Sequence, residues 1–381
     1  MTRFRTGLLD PGLHSRYTPD LVIRNTRAVG LLGGADSIWM PDHILGVLPR
    51  SVWSADYTGA AHFTPSIDGH YEPWTTLGYV AAQNGLARFR LGVGVTDAGR
   101  RHPAVTAQAA ATLHHLSGGR AILGIGPGER ENNEPYGVDW QRPVARFEEA
   151  VATIRALWES DGKPISRDSE YFPLRDAVFA IPPHRDTRPE IWFGANGPRM
   201  LRATGRYADA WLPGFGLGPA AYSEKLAMVR NAASDAGRDP EKLTAAGTFP
   251  VITGPTRGSV ADALASVAVK AFTLGAPGSM WSRHGVQHPL GETFAGLQDL
   301  LPQLLDEPTV LSYVEKVPES LVREFCLVGT PSEVVDQVAC WRDNGMRYAI
   351  LSNLSAFQPS VAMGMVANAP IVAILRGLRK L

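Results

Sequence analysis

Short apolar runs alternate with longer stretches of helical periodicity along the whole chain. The apolar runs are only a few residues long and contain few polar positions, which is typical of parallel strands buried on both faces. Eight such strands are predicted, at Phe4–Leu9, Ser37–Met40, Phe89–Val95, Ala121–Ile125, Glu190–Phe193, Ala210–Leu212, Ala245–Ile252 and Tyr348–Ser352.

Helical patterns fill the intervals between these strands, and several begin at a proline, which suits the first turn of a helix. Eight strands with intervening helices predict an α/β fold, a (β/α)8 TIM barrel with insertions. An open doubly wound sheet or two domains are the alternatives, but no Pro/Ser/Gly-rich linker divides the chain, so we favour a single domain over 1–381. The predicted helices are Pro19–Leu32, Pro73–Asn84, Pro103–Leu116, Val144–Trp158, Pro198–Tyr207, Pro219–Ala236, Val260–Leu274, Pro331–Asn344 and Pro359–Leu378.

Two segments, 161–188 and 275–325, are insertions relative to a minimal barrel. The first is rich in proline and charge and is predicted to be a loop or a hairpin. The second opens with a flexible Gly-Ala-Pro-Gly sequence, and we interpret it as a lid with its own helices. The alternative is that its apolar residues pack on the barrel wall. These residues are Trp281, Phe294, Leu297, Leu300 and Leu301.

Composition narrows the classes of function. Lys+Arg and Asp+Glu number 37 each, and this zero net charge argues against a nucleic-acid-binding surface. The only cysteines, Cys326 and Cys340, build neither a disulfide scaffold nor a Cys-rich zinc site, so we expect a cytoplasmic location. Consecutive apolar runs fall short of the roughly 18–20 residues that cross a bilayer, so we expect no transmembrane segment.

Polar or glycine-rich residues follow four of the predicted strands. In a (β/α)8 barrel these strand ends meet at one rim and build the active site. Asp42 and His43 follow the second strand. Imidazole titrates near neutrality, so His43 is the predicted proton carrier, with Asp42 orienting the ring or holding the loop. The alternative is a structural Asp-His pair.

Glu129 follows a glycine-rich sequence at 124–128 after the fourth strand. Gly126 and Gly128 permit close approach of backbone to a planar ring or a phosphate. The spacing departs from the GxGxxG dinucleotide fingerprint, which makes a nicotinamide site a poor interpretation. We predict that Glu129 is a second acid/base or substrate-orienting group. The alternative is an ion pair with Arg130 or Arg100.

Two further segments predict cofactor contacts. Gly197 and Pro198, preceded by Ala195 and Asn196, open a helix directly after a strand. Such a helix start binds phosphate, although an ordinary turn is the alternative. Alternate glycines in the third strand indicate a bulge, and we interpret the segment as backbone packed against a flat cofactor ring. The predicted ring contacts are Val93, Gly94, Val95 and Thr96.

Other catalytic templates are missing from the sequence. It contains no GxSxG, P-loop or HExxH motif. His284 and His288 are four apart but lie outside any helical pattern, so we expect no metal site. Trp53, Trp74 and Trp281 fall in loop-like or lid-like segments and are predicted to line an apolar substrate pocket, with core packing as the alternative.

The motifs quoted above resemble the luciferase-like superfamily, and within it the branch that uses the deazaflavin coenzyme F420. They are the sequence at 39–43, Thr96 with 103–108, the sequence at 124–129, and 197–199. Asp-His after the second strand is typical of that branch, whereas flavin mononucleotide monooxygenases more often carry Glu-His there. Similarity to ketoreductases of this branch extends over nearly the whole chain. It includes segments 71–75, 95–101, 128–137, 283–286 and 375–381.

The resemblance implies a deazaflavin in the barrel mouth, with its phosphate near Gly197 and Pro198. It implies a ring against the Val93–Thr96 segment, which in relatives contains a non-prolyl cis peptide, and a coenzyme contact at Asp42. The acid/base roles fall to His43 and Glu129.

The chain also departs from the deazaflavin sugar-phosphate dehydrogenases. Val47 stands where those proteins have a tryptophan, and Gly214 corresponds roughly to their sugar-phosphate residue. Both differences favour an apolar ketone or alcohol as the substrate.

We therefore expect an F420-dependent ketoreductase that transfers hydride to the keto group of an apolar, lipid-like substrate. We also expect a homodimer. Because the substrate is lipid-like, we further expect transient contact with a membrane surface. The alternatives are a monooxygenase that uses flavin mononucleotide (FMN), an F420-dependent alcohol or sugar-phosphate dehydrogenase, and a non-catalytic flavin-binding protein.

Overall fold

A computed structural model describes residues 3–381 of the chain, and its main sheet closes on itself. The strands are β1 (Arg5–Leu9), β2 (Ser37–Met40), β3 (Arg90–Asp97), β4 (Ala121–Gly126), β5 (Ile165–Arg167), β6 (Leu174–Ala177), β7 (Glu190–Gly194), β8 (Ala210–Leu212), β9 (Thr244–Thr253), β10 (Leu327–Gly329) and β11 (Tyr348–Asn353). The ring runs β1-β2-β3-β4-β7-β8-β9-β11 and returns to β1, and all of its pairings are parallel. The predicted (β/α)8 barrel is confirmed.

Helices cover the outside of this barrel. They are α1 (Leu21–Gly33), α2 (Pro73–Ala82), α3 (Pro103–Leu116), α4 (Pro143–Glu159), α5 (Pro198–Tyr207), α6 (Pro219–Asp235), α7 (Arg257–Ala265), α8 (Val267–Phe272), α9 (Gly278–Arg283), α10 (Glu307–Val314), α11 (Glu319–Phe325), α12 (Pro331–Asp343), α13 (Val361–Val366) and α14 (Asn368–Leu378). Two predicted helices are each divided in two. Ser266 has an extended backbone between α7 and α8. α14 begins at Asn368, and Pro370 in its first turn lacks the N–H that would bond back into α13 if the helix were continuous.

Both insertions have the predicted kind of structure. The first contains the antiparallel β5–β6 hairpin. The second carries α9, α10 and α11, and β10 after it adds to β9 outside the closed ring. The expectation that this second segment has its own helices is confirmed.

Aromatic side chains fill the interior of the barrel. The rings of Trp39 and Trp192 lie 5.0 Å apart, and those of Trp192 and Tyr348 lie 5.1 Å apart. All three are fully buried. A Cβ on Gly92 would stand 2.4 Å from Cε3 of Trp39, so this strand must carry a glycine there to admit the indole.

A second apolar cluster lies at the carboxyl ends of the strands. It joins Leu13 after β1, Trp53 and Ile67 from the segment after β2, and Ile252 near the end of β9. Helices α7 to α11 supply most of its remaining side chains. The second insertion is therefore packed onto the mouth end of the barrel.

One segment, Val361–Leu378, is long and apolar enough to cross a membrane by length and composition alone. Its mean hydropathy is 1.7 over 18 residues, and 33% of it is buried. The segment reaches these limits in average composition, but Asn368 and Arg376 interrupt its apolar run, and the expectation of no transmembrane segment stays a prediction. Its second part is α14, which buries Ile371, Ile374 and Leu375 and packs against α1 and α12.

Candidate active site

Three strand ends bring the predicted acid/base groups together at the mouth of the barrel. Asp42 and His43 follow β2, and Glu129 lies shortly beyond β4. Nε2 of His43 is 3.3 Å from Oε2 of Glu129. The alternative ion pairs for Glu129 are wrong, because Arg130 pairs with Glu134 at 2.6 Å and Arg100 pairs with Asp42 at 2.9 Å.

Asp42 is a buried carboxylate held by cations. It accepts hydrogen bonds from the Thr96 hydroxyl at 2.5 Å, from Arg100 at 2.9 Å and from Arg101 at 3.3 Å. Burial alone would raise the pKa of Asp42, but the two guanidinium groups and the hydroxyl offset this and lower it. The carboxylate ties the loop after β2 to the loop after β3, whereas its contact with a coenzyme stays a prediction.

His43 lies between the two loops that follow β2 and β4. Its side chain is 17% exposed, and Nε2 faces Glu129, which is 30% exposed. On the other side of the ring, Nδ1 lies 3.0 Å from Nδ2 of Asn132 and 3.2 Å from the carbonyl oxygen of Leu45. Oε1 of Glu131 is further away, at 3.7 Å. The Nε2 edge of the imidazole therefore points toward the mouth, and its Nδ1 edge points toward a buried polar cluster.

Sequence reasoning missed Glu131 and Asn132, which complete this cluster. Both lie in the 3-10 turn that follows Glu129, and both are buried. Nδ2 of Asn132 donates to Oε1 of Glu131 at 2.8 Å, and Oε2 of Glu131 has no hydrogen-bond partner among residues 3–381. Burial, and then the neighbouring Glu129 carboxylate, raise the pKa of Glu131 far above its ordinary range. The only signal in the sequence was their place in a polar loop at a strand end.

The loops after β3 and β4 are also locked together by Asp97. Its carboxylate accepts from Gly99 N at 2.6 Å and from the amide of Asn133, which also donates to the Glu129 carbonyl at 2.8 Å. Gly128 has φ +93, and a Cβ there would stand 2.3 Å from Asp97 Oδ2. Gly128 thus makes room for a side chain of the protein, and its contact with a cofactor stays a prediction.

The predicted bulge in β3 is confirmed. The register with β4 shifts between Val93 and Thr96, and the Gly94–Val95 peptide is cis. The interpretation of the alternate glycines as space for a cofactor ring is wrong for Gly92, because the flat group that it accommodates is the indole of Trp39. Only Gly94 and Val95 of this segment are partly exposed.

The floor beside Val95 consists of glycine backbone. A Cβ on Gly126 would lie 2.8 Å from the Val95 side chain, and one on Gly194 would lie 3.3 Å from it. Because these two positions carry no side chains, the Val95 side chain packs directly against glycine backbone at the mouth.

The start of α5 is open at the same rim. In the described part of the chain, no heavy atom lies within 4 Å of the position that a Cβ on Gly197 would take. The approach to it is held firmly, because Ala195 O accepts from Trp211 Nε1 at 2.9 Å and Asn196 Oδ1 accepts from Gly214 N at 3.0 Å. The free N–H groups of the first helical turn therefore remain available to an anion.

The three tryptophans predicted to line a pocket lie in packed interior. Trp53 is 8% exposed and donates to Thr64 O at 2.9 Å, and Trp74 is 8% exposed. Trp281 is fully buried with its ring 4.7 Å from that of His288. This structure favours the packing alternative for the second insertion, and a pocket role for these residues stays a prediction.

One group of side chains has the spacing of metal ligands. Ligand atoms of His43, Glu129 and Glu131 lie within 4.8 Å of one another. His284 and His288 are separately engaged, with Glu324 at 2.6 Å and with Leu274 O at 3.1 Å. The expectation that the protein holds no metal stays a prediction.

A closed parallel barrel with ionisable groups gathered at its strand ends is the architecture of a (β/α)8-barrel enzyme. Residues 33–348 match the family described as luciferase-like monooxygenase, and the chain belongs to this family. The resemblance predicted from the motifs is confirmed.

The relatives include lipid ketoreductases. The chain is 57% identical, over 383 aligned residues and 100% of both chains, to the phthiodiolone/phenolphthiodiolone dimycocerosates ketoreductase of Mycobacterium bovis (strain BCG / Pasteur 1173P2). It is therefore a full-length homologue of a ketoreductase.

Solved structures share the fold at low sequence identity. An F420-dependent secondary alcohol dehydrogenase in complex with an F420-acetone adduct superposes with a TM-score of 0.71 at 21% identity, covering 98% of this chain and 99% of that one. The coenzyme F420-dependent tetrahydromethanopterin reductase of Methanopyrus kandleri gives a TM-score of 0.67 at 19% identity, covering 96% of each chain.

Proposed function

We propose that this protein uses reduced coenzyme F420 to convert the keto group of a lipid-like, phthiodiolone-type substrate into a secondary alcohol. The observation that carries the proposal is 57% identity over the full length of a protein named for that ketoreductase activity. The fold neighbour named as a secondary alcohol dehydrogenase interconverts the same two functional groups.

The mouth fits a flat ring with an anionic tail. The partly exposed Gly94 and Val95 over a floor of glycine backbone supply a surface for a ring, and the open start of α5 at Gly197 and Pro198 supplies N–H groups for a phosphate. Asp42 and Thr96, at the ends of neighbouring strands, would border the ring. When bound, the reduced coenzyme supplies a hydride.

The chain itself supplies the proton. Ketone reduction places negative charge on the carbonyl oxygen, and a donor must lie within hydrogen-bond reach of it. His43 presents Nε2 toward the mouth beside Glu129. We assign His43 as the donor to the developing alkoxide, with Glu129 orienting the imidazole. The partly exposed Nε2 then regains its proton from solvent at the mouth.

Apolar surroundings support a lipid-like substrate over a sugar phosphate. Ile44, directly after His43, is 40% exposed, and Val47 is half-buried in the second apolar cluster. Gly214 contributes only backbone, to Asn196. Neither Val47 nor Gly214 offers a charged group to a sugar phosphate.

The remaining expectations belong to the same proposal. We propose one domain over the whole chain, a homodimer, a cytoplasmic location and transient contact with a membrane surface. The two free cysteines suit a reducing compartment. Light scattering on the purified protein would test the dimer, and co-flotation with lipid vesicles would test the membrane contact.

A coenzyme assay tests the central proposal. Reduced F420 is mixed with the protein and either a long-chain ketone or acetone, and the recovery of oxidised F420 absorbance is followed without oxygen. We expect one alcohol formed per coenzyme oxidised, with the long-chain ketone preferred. Oxygen consumption with reduced FMN, together with no oxidation of F420, would instead establish the monooxygenase alternative.

A further inference from the structure

We infer that Asn132 is a positioning residue that holds neutral His43 in the tautomer with its proton on Nε2, the nitrogen that faces Glu129. The inference deepens the proposed function, because it explains how His43 stands ready as a donor. The tautomer itself is a property of the protein without coenzyme or substrate, so it is testable separately.

The orientation of the Asn132 amide is fixed by the backbone. Its Oδ1 lies 2.7 Å from the Ile44 N–H and 3.0 Å from the Leu45 N–H. A backbone N–H can only donate, so the atom that meets both must be the amide oxygen. The flipped amide would place an NH2 group against two donors.

The other end of the same amide then determines the state of His43. Nδ2 carries two hydrogens and lies 2.8 Å from Glu131 Oε1 and 3.0 Å from His43 Nδ1. Because an amide nitrogen has no acceptor capacity, Nδ1 must accept and carries no proton. A neutral imidazole in that state carries its proton on Nε2.

One contact favours the opposite tautomer. The Leu45 carbonyl lies 3.2 Å from Nδ1 and would accept a proton from it. The contact with Asn132 is shorter, and a buried N–H group is left without a partner more rarely than a carbonyl is left under-satisfied. An unsatisfied amide hydrogen there would cost roughly 1–3 kcal/mol. The contact with Asn132, and not the one with Leu45, therefore determines the tautomer of His43.

Charged groups around the ring do not reverse this balance. Glu131 Oε1 is 3.7 Å from Nδ1, and burial together with Glu129 raises the pKa of Glu131, so this carboxyl is uncharged at neutral pH. The ring of His70 lies 5.8 Å from that of His43, and burial lowers the pKa of His70 to about 3, so it is neutral too. Glu129 Oε2 lies 3.3 Å from Nε2, and a carboxylate there favours a proton on that nitrogen.

The inference is tested by nitrogen NMR of unliganded protein labelled with 15N-histidine, with the His43 signals assigned by their loss in His43→Gln. We expect wild-type His43 to show a pyridine-type Nδ1 and a pyrrole-type Nε2. Asn132→Asp keeps an oxygen for Ile44 and Leu45 but replaces the amide donor by an acceptor, so the Nδ1 signal should change from pyridine type to pyrrole type. The same chemical change at exposed Asn231, on α6, should leave them unchanged.

A wild-type His43 with its proton on Nδ1 would overturn the inference, whatever the variants do. Turnover provides a second test. Asn132→Asp should lower kcat by about 10–100-fold, which is less than the effect of losing the imidazole itself. KM for the ketone should stay nearly constant. A wild-type protein with the expected tautomer but no ketone reduction would refute the proposed function and leave the inference intact.

Discussion

Asp42 and Glu131 are both buried carboxyl groups at the mouth of the barrel, with side chains 1% exposed, yet their neighbours differ completely. Asp42 meets two guanidinium groups and a hydroxyl, whereas Glu131 meets an amide and another carboxylate. Burial raises the pKa of each, and the neighbours then decide the direction. The pKa is therefore lowered for Asp42, which keeps its negative charge, and raised for Glu131, which favours the neutral acid.

Removing the imidazole of His43 should have the largest effect. His43→Ala should lower turnover by about 10²–10⁴-fold, because positioned proton transfer contributes that much. Coenzyme affinity should change little, since the ring and phosphate surfaces remain. Steady-state kinetics with fluorescence titration of F420 would measure both, and a variant with near-normal turnover would contradict the donor role.

Removing a cation from the Asp42 side should mainly affect stability. Arg100→Met leaves a buried carboxylate with only Arg101 as its charged partner, and we expect a loss of about 3 kcal/mol in the free energy of unfolding. Urea denaturation would measure it. Adding Asp42→Asn should restore part of the loss. An equal or larger loss in the double variant would mean that Arg100 acts through packing instead.

The two carboxyls should also give opposite pH dependence of stability. The pKa of Asp42 is lowered by folding, so its contribution is present above its unfolded pKa of 3.8 and is lost as pH falls through the folded value. The pKa of Glu131 is raised by folding, so its contribution is present below 4.5 and is lost as pH rises toward the folded value.

Glu131→Gln mimics the neutral acid. It should remove the pH dependence that Glu131 gives to the free energy of unfolding, which is up to about 1.4 kcal/mol per pH unit. Urea denaturation of wild type and variant between pH 5 and about 8 would show the gap widening in favour of the variant. A constant gap would mean that Glu131 is already ionised in the folded protein.

The smallest effect should come from the packing of the second insertion. Trp281→Phe truncates a fully buried ring in the second apolar cluster, and we expect a loss of about 1–2 kcal/mol in stability. If the insertion only packs, KM should stay the same for long-chain and short ketones. A selective rise in KM for long-chain ketones would restore the interpretation of this segment as a lid.

The sequence predicted the barrel well, because short apolar strands and proline-initiated helices are local signals. It also brought Asp42, His43 and Glu129 to one rim, since strand ends in this fold meet there. It failed at Glu131 and Asn132, whose importance depends on burial and on an amide orientation set by Ile44 and Leu45 across a different loop.

Glycines and tryptophans show a second limit. Gly92 looked like space for a cofactor ring, but its neighbour is Trp39 from the adjacent strand. Trp53 and Trp281 were predicted to line a pocket because they lie in a loop and in an insertion. Both instead pack into the second apolar cluster. A single sequence shows which position carries no side chain. It does not show which group fills the space that this leaves.

The closure of the barrel places the start of β1 and the end of α14 at the end opposite the mouth. The start of β1 pairs with the start of β11, and Arg376, near the end of α14, donates to Leu32 O at 3.0 Å, close to the turn that leads into β2. An affinity tag or a surface linker on either terminus would therefore project away from His43. Protein immobilised through either end would present its mouth to the solution, which suits a sensor or a flow reactor for poorly soluble ketones.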